Sequence, residues 1–339
     1  MLICVSMNGG FPLIFVLVLT LKVEGAPLVQ NTDSTHDSVR FLVLADWGGR
    51  PRYPYKTKVQ IDVAQQLAIT AERENASFVL SLGDNFYMNG VRNMLSSRFQ
   101  TTFEDVFYQE SLHIPWYFIA GNHDHYGRVL AQIQYSSVSH RWNFPDFYYK
   151  ITKTLPKDRV LDILLIDTVM LCGQTHATSK GKRVFGPEDI HAAEVQWNWI
   201  EQNLKDSTAD YLLVGGHYPV YSIGMNGPTE CLYTRLEPLL YKHRATAYLS
   251  GHDHNLQHIQ THKDGKNMDY FISGNGAWSK VLQTNLDAVP EKSLRFFSAE
   301  KGVGGFAMFD VSETRMKIKF IDSNGVTRYE HEIKPRKLE

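Results

Sequence analysis

Two stretches, Gly121-Asn122-His123-Asp124 and Gly251-His252-Asp253-His254, decide how this chain folds. They follow apolar runs of strand character, Trp116 to Ala120 and Ala247 to Leu249. An apolar run that stops at a glycine and turns to Asn, His and Asp reads as a buried strand delivering polar side chains at its C-terminal end. The pattern recurs. Asp46-Trp47-Gly48 follows Phe41 to Ala45, Gly83-Asp84-Asn85-Phe86-Tyr87 follows Phe78 to Leu82, and Val214-Gly215-Gly216-His217 closes the run from Tyr211. Val160 to Ile166 and Tyr270 to Ile272 are further strands. Helical periods lie between them. One begins after Gly186-Pro187 and sets Ile190, Ala193, Trp197, Ile200 and Leu204 on one stripe; another runs from about Thr57 to Glu74. Alternating strand and helix define an α/β chain with a largely parallel or mixed sheet covered by helices. In such sheets ligands gather beyond the carboxyl ends of the strands, where all five motifs fall. The tail differs: Gly305 to Val311, Met316 to Ile321 and Thr327 to Ile333 read as antiparallel strands, with Ser323-Asn324-Gly325 as a turn. With no Pro-, Gly- or Ser-rich linker and no short repeat, residues 39–339 read as one catalytic domain.

Asp46, Asp84, Tyr87, Asn122, His217, His252 and His254 together offer enough oxygen and nitrogen donors for two metal ions. Two adjacent metals with open positions point to hydrolysis of a phosphate ester. Composition leaves the attraction for such a substrate to the site itself. The chain carries 35 basic and 36 acidic residues, so no global field favours nucleic acid or an anionic membrane. Other phosphatase chemistries lack their residues: neither Cys172 nor Cys231 has an Arg six positions on, and no Walker A sequence occurs.

The N-terminus reads as an export signal. Phe11 to Leu21 is an uncharged apolar run too short to span a bilayer, and Val23-Glu24-Gly25 suits a signal peptidase, so residues 1–25 read as a cleaved signal peptide. Residues 26–38 are polar and mixed, an unpacked leader. No later run approaches a membrane span, so no stable membrane anchor is expected, and the protein belongs to the secretory pathway, lysosomal or extracellular. Cys4 leaves with the signal; Cys172 and Cys231 remain as an even pair in an oxidising compartment and are expected to form a disulfide. Asn75-Ala76-Ser77 is a glycosylation sequon at a helix end.

The five motifs in this order resemble the calcineurin-like metallophosphoesterases, and Tyr87 narrows that to the purple acid phosphatases. Phe86, His123-Asp124-His125, Tyr218-Pro219 and the single-domain length are similar to the small, mammalian-type tartrate-resistant group. The resemblance runs from about Val39 to the C-terminal strands. It implies a four-layer α-β-β-α sandwich of two mixed sheets. It also implies a binuclear Fe(III)–M(II) centre, with Fe(II), zinc or manganese in the divalent site, and places His254 on the iron and His252 on the divalent ion. The donor chemistry agrees. Ferric iron favours Asp46, Asp84 and a deprotonated Tyr87 with one imidazole; the divalent ion suits the Asn122 carbonyl, His217 and one more imidazole, with Asp84 bridging.

The implied activity is acid phosphatase: a metal-bound hydroxide, persistent at acid pH because one ion is trivalent, attacks phosphorus in line. Substrates would be phosphate monoesters, phosphoproteins included, and the protein a monomer. His123 is the candidate to stabilise phosphate oxygens or protonate the leaving group. The resemblance also suggests an activating protease cutting the 173–187 loop at Lys180, Lys182 and Arg183. Two rival readings are an iron-carrying secreted protein with incidental phosphatase activity and a phosphodiesterase of the same superfamily. Asp124 and Asp253 read as orienting imidazoles or their loops, and His125 and His258 as neighbours of the site. His331 and the other histidines outside the motifs read as surface residues. Two departures from the family pattern stand out: Ala45 where relatives carry glycine, and the turn from Ser273 to Lys280 that borders the substrate.

Overall fold

The computed structural model describes residues 28–31, 38–178 and 181–336. Two mixed sheets stack face to face. The first has seven strands in the spatial order Thr327–Ile333, Met316–Asp322, Gly305–Val311, Val39–Leu44, Phe78–Leu82, Trp116–Ile119, Trp142–Asn143. The second has eight: Leu28–Asn31, Tyr149–Thr154, Val160–Leu165, Tyr211–Gly215, Ala247–Ser250, Lys266–Ser273, Leu256–Lys263, Leu294–Ser298. In each sheet the strands that precede the motifs pair in parallel, and antiparallel strands extend the flank. This is the expected four-layer arrangement.

Alternation along the strands builds the layers. In Tyr211–Gly215, Tyr211 and Leu213 join the apolar layer between the sheets with Phe41, Phe271 and Phe309. Leu212 and Val214 face the other way, onto Ala193, Trp197, Ile200 and Leu204 of the helix Ile190–Asp206. That helix buries the expected stripe except Ile190, which as its first residue stays exposed. Gln196 occupies a buried position on it and clamps the backbone of Asp167, accepting from its N–H at 2.8 Å and donating to its carbonyl at 3.1 Å. On the far side, the helix Lys58–Glu74 begins where Thr57 accepts from the Gln60 N–H at 3.0 Å and ends at Asn75 in the left-handed region. Asn75 is exposed, so the sequon is accessible.

Three expectations change. Leu28–Asn31, read as part of an unpacked leader, pairs in parallel with Lys150–Lys153 and extends the edge of the second sheet. Its Leu-Val start is apolar enough for a strand, and the edge of Tyr149–Thr154 offers the hydrogen bonds. The 173–187 loop is a hairpin, Thr175–Thr178 against Gly181–Val184. Tyr149–Thr154, Leu256–Lys263 and Leu294–Ser298 are strands that the apolar runs did not mark. The signal segment 1–25 lies outside the described residues, as do Lys180 and the side chains of Lys182 and Arg183. Among the described residues, no helix is long and apolar enough to cross a membrane. Cys172 and Cys231 are joined in a disulfide.

Candidate metal centre

Each motif-bearing strand of the parallel cores ends two or three residues before its motif side chain, so both sheets empty their C-terminal ends into one place. Three of these side chains sit on left-handed backbone: Asp46 at φ 58°, Asp84 at φ 54° and His252 at φ 69°. Non-glycine residues adopt this region at a cost and concentrate it at functional sites. The glycines beside them are needed for closeness. A Cβ on Gly121 would collide with Asp84 Oδ1, and one on Gly251 would collide with the Ala45 Cβ and with Asp46 Oδ2.

The donors fall into two groups. Tyr87 Oη donates to Asp46 Oδ1 at 2.7 Å and lies 3.0 Å from His254 Nε2, which is 3.4 Å from the same Asp46 oxygen. In the second group His217 Nε2 lies 3.1 Å from Asn122 Oδ1 and 3.4 Å from Asp84 Oδ1. His252 packs its ring 5.1 Å from that of His217. Asp46, Asp84 and His217 bring ligand atoms within 4.8 Å of one another. The structure thus gathers all seven expected residues, with His123 on the wall.

This arrangement fits cations. His217 Nδ1 lies 2.8 Å from the Leu82 carbonyl, so it carries the proton there. Its Nε2 faces two oxygens, Asn122 Oδ1 and Asp84 Oδ1, a cluster of donors that a metal ion between them would tie together. Among the described residues the ion-pair partners of Asp46 and Asp84 are imidazoles rather than Lys or Arg. Burial, reinforced by the Asp84 charge and partly offset by His217, pushes the Asp46 carboxyl up to about 8. Burial acts the same way on Asp84, but His217 and His123 outweigh it and hold that carboxyl below its ordinary range. Burial and the Asp46 charge push the Tyr87 phenol well above its usual range. Two buried carboxylates and a phenol in contact are destabilising together, and a metal ion supplies the positive charge that offsets this.

Around the donors the loops are tied together. Asp124, buried, accepts the N–H groups of Gly121 at 2.9 Å, Asn85 at 3.0 Å and Phe86 at 3.2 Å, and the Gln132 amide at 2.8 Å. Asp253 accepts from Ser222 and from the Asn226 N–H at 3.0 Å. Both acids hold loops rather than imidazoles. His125 meets Asp167 at 2.7 Å; burial pulls its pKa down, but the Asp167 carboxylate more than offsets this and raises it. His258 is not at the site: it pairs with Asp269 on the second sheet. Gln132, Ser222 and Asn226 were missed and no motif in the sequence marks them, and Asn85, though inside the Gly83 to Tyr87 motif, was given no role. A cleft of about 310 Å³ opens onto the centre, lined by Asp84, Tyr87, His123, His252 and His254 and walled by Met225, Trp278 and Lys280.

A pair of stacked sheets that brings carboxylates, imidazoles, an amide and a phenol together at the strand ends defines a metal-dependent phosphoesterase. The comparisons agree. The family described as Calcineurin-like phosphoesterase matches residues 39–256. Tartrate-resistant acid phosphatase type 5 of Mus musculus is 40% identical over 328 residues, covering 95% of this chain and 98% of that protein. The Homo sapiens counterpart is 41% identical, covering 94% and 97%. Purple acid phosphatase 3 of Arabidopsis thaliana is 30% identical, covering 87% and 77%. Among solved structures, GAP50, titled the anchor in the inner membrane complex of Plasmodium, superposes with a TM-score of 0.74 at 25% identity, covering 89% of this chain and 90% of that one. The chain belongs to the calcineurin-like phosphoesterases and, within them, to the tartrate-resistant group of purple acid phosphatases. It is an enzyme of the acid phosphatase class, and its family implies a binuclear metal centre.

Proposed function

We propose that the chain hydrolyses phosphate monoesters, phosphoproteins among them, with an Fe(III)–M(II) pair in which M is iron, zinc or manganese. Asp46, Tyr87 and His254 would hold the ferric ion, and Asn122, His217 and His252 the divalent one, with Asp84 shared. One observation carries this: His217 Nε2 lies against Asn122 Oδ1 and Asp84 Oδ1 while its other nitrogen is committed to the Leu82 carbonyl, so three ligand types meet at one point. The Tyr87 phenol, pushed up by burial and by Asp46, argues for a highly charged ion on its side, because only such an ion in contact makes a phenolate stable there. When bound, the metals supply Lewis acidity, neutralising phosphate and activating water.

The protein's own groups do the rest. The Met88 carbonyl holds His123 Nδ1 at 2.6 Å, which fixes the ring with Nε2 4.0 Å from Asp84 Oδ2 at the edge of the cleft. From there His123 would steady a phosphate oxygen or pass a proton to the departing alkoxide. Asp124 fixes the loops that aim Asp84 and Asn122. The disulfide supports a life in the secretory pathway, lysosomal or extracellular. Regulation by a protease at the 173–187 hairpin is supported by contact. Asn122 Nδ2 lies 3.4 Å from Thr175 Oγ1, and Gln174 donates to the Asn122 carbonyl at 3.2 Å, so a cut there would reach the site.

The test is metal analysis and a visible absorption spectrum on the purified protein, beside activity as a function of pH. Two metals per chain, a phenolate-to-iron band that disappears in Tyr87→Phe, and activity greatest at acid pH are expected. A colourless protein with one metal, fully active after Tyr87→Phe and Asp84→Asn, would refute the proposal.

A further inference from the structure

The layer between the sheets is apolar, built on residues such as Phe271, Phe309 and Phe320, yet at one rim it holds two imidazoles and a carboxylate. Their placement follows from strand periodicity. His258 and Gln260 share one face of Leu256–Lys263, and across the antiparallel pair their partners are Phe271 and Asp269. His331 comes from the other sheet, on Thr327–Ile333, with Tyr329 two residues earlier. Asp269 pairs with Ala247, the first residue of Ala247–Ser250, whereas the motif His252 lies beyond the last. This rim is therefore at the opposite ends of the parallel strands from the catalytic centre.

We propose that His258, Asp269 and His331 form a second metal site, of zinc type, that clips the edge strand of the first sheet to the second. His258 Nε2 lies 2.8 Å from Asp269 Oδ1 and His331 Nε2 lies 3.3 Å from the same oxygen. One ligand atom from each residue falls within 4.8 Å of the other two. Four-coordinate zinc, with bonds of about 2.0–2.1 Å, separates its donors by about 3.3 Å. The His331 spacing already meets that, and the His258 spacing needs to open by about half an ångström. Two histidines and one carboxylate leave a fourth position for water, the composition of an open zinc site.

The surroundings supply what such a site requires. His258 Nδ1 is 2.8 Å from Tyr329 Oη, and the Gln260 amide donates to Asp269 Oδ1 at 2.8 Å, so groups outside the ligand set orient an imidazole and the carboxylate. The His258 ring stacks on Phe271 at 4.3 Å, which fixes its plane. Entry is open: the His331 side chain is 24% exposed and, with Asp269, lines a cleft of about 470 Å³. Lys266 and Lys334 border the same cleft, so affinity in the micromolar rather than the nanomolar range is expected. Ligation through Nε2 needs a lone pair there, with the His258 proton moved to Nδ1, where Tyr329 Oη lies 2.8 Å away, so affinity must fall as pH is lowered and protons compete for the rings.

The experiment uses the whole holoenzyme, its catalytic centre already filled and free metal removed, titrated with zinc chloride by calorimetry and by metal analysis after gel filtration. One equivalent beyond the resident metals is expected, with affinity that weakens as the pH is lowered. His331→Gln, a change at a partly exposed position, should weaken this equivalent by more than about 100-fold while the resident metals stay bound, which reports an intact fold. Tyr329→Phe, which removes only an orienting group, should weaken it by about tenfold. If the parent takes up no additional zinc at tens of micromolar, or if His331→Gln takes up the same equivalent as the parent, the site does not exist.

Discussion

Replacing Asp124 by Asn sets hydrogen bonding against electrostatics, and the structure says which wins. Oδ2 accepts from the Gly121 and Asn85 N–H groups, and Oδ1 accepts from the Phe86 N–H and the Gln132 amide. An Asn side chain keeps one oxygen and turns the other into NH₂. Whichever way it is placed, two buried donors face a donor. Gln132 cannot escape by flipping, because its Oε1 accepts from Asn85 Nδ2 at 3.0 Å. Two buried N–H groups left without an acceptor cost about 1–3 kcal/mol each. Against that stands relief: burial and the nearby Asp84 charge raise the Asp124 pKa, so the neutral amide removes an unfavourable charge. The relief takes the net loss to the lower half of the range, about 2–4 kcal/mol. Urea unfolding of the metal-free parent and variant isolates this from any effect of metal binding. The holoenzyme should also lose metal more readily, since the tied loops carry Asp84 and Asn122. A metal-free variant as stable as the parent, or more so, would mean that charge repulsion governs the loop and that the hydrogen-bond account is wrong.

Stripped of metal, the protein should lose stability as pH rises. Asp46 is pushed up to about 8 in the folded state, against about 3.9 unfolded, so between those values the folded chain holds one proton more, and stability falls by about 1.4 kcal/mol per pH unit. Denaturant midpoints of metal-free parent and Asp46→Asn from pH 5 to 8 check this; equal slopes would contradict it. Cys172→Ser with Cys231→Ser opens a crosslink spanning 59 residues and should cost about 4 kcal/mol, read from denaturant unfolding, with a loss below about 1 kcal/mol counting against a structural role. His123→Ala should reduce turnover of alkyl phosphates more than of nitrophenyl phosphate, because the alkoxide needs the proton that the nitrophenolate does not; equal losses on both substrates would remove the proton-donor role.

The strands that carry the site were legible because they are buried on both faces and read as mainly apolar runs, most of them followed by glycine. Phe78–Leu82 and Trp116–Ile119 are buried throughout. Strands off the centre were not legible by that signal. Tyr149–Thr154 alternates buried with half-buried positions, and only Tyr149 and Ile151 are apolar in it. Lys150, Thr152, Lys153 and Thr154 hide it from a search for runs. Leu256–Lys263 carries two glutamines and two histidines, and its polar face is satisfied only by partners such as Asp269 and Tyr329, distant in sequence. The same distance explains His258 and His331. Each read as a rim or surface residue because nothing local marks it, and each acquires its setting from a strand pairing that no short motif encodes.

The ligand residues were readable as types, whereas what holds them was not. Asp46, Asp84 and His252 adopt positive φ, and a sequence shows no reason for it until the loops are seen crossing. His252 donates its N–H to Asp46 Oδ2 at 2.7 Å, and His123 donates its N–H to Asp84 Oδ1 at 2.9 Å. Each loop is thus bent so that its backbone caps a carboxylate belonging to another strand. The backbone strain and these cross-loop bonds are two halves of one arrangement, since relaxing either left-handed aspartate would swing its oxygens off the partner N–H. Glycine before the motif residue is then a consequence: Gly121 and Gly251 stand where those carboxylates pass, at distances no Cβ allows.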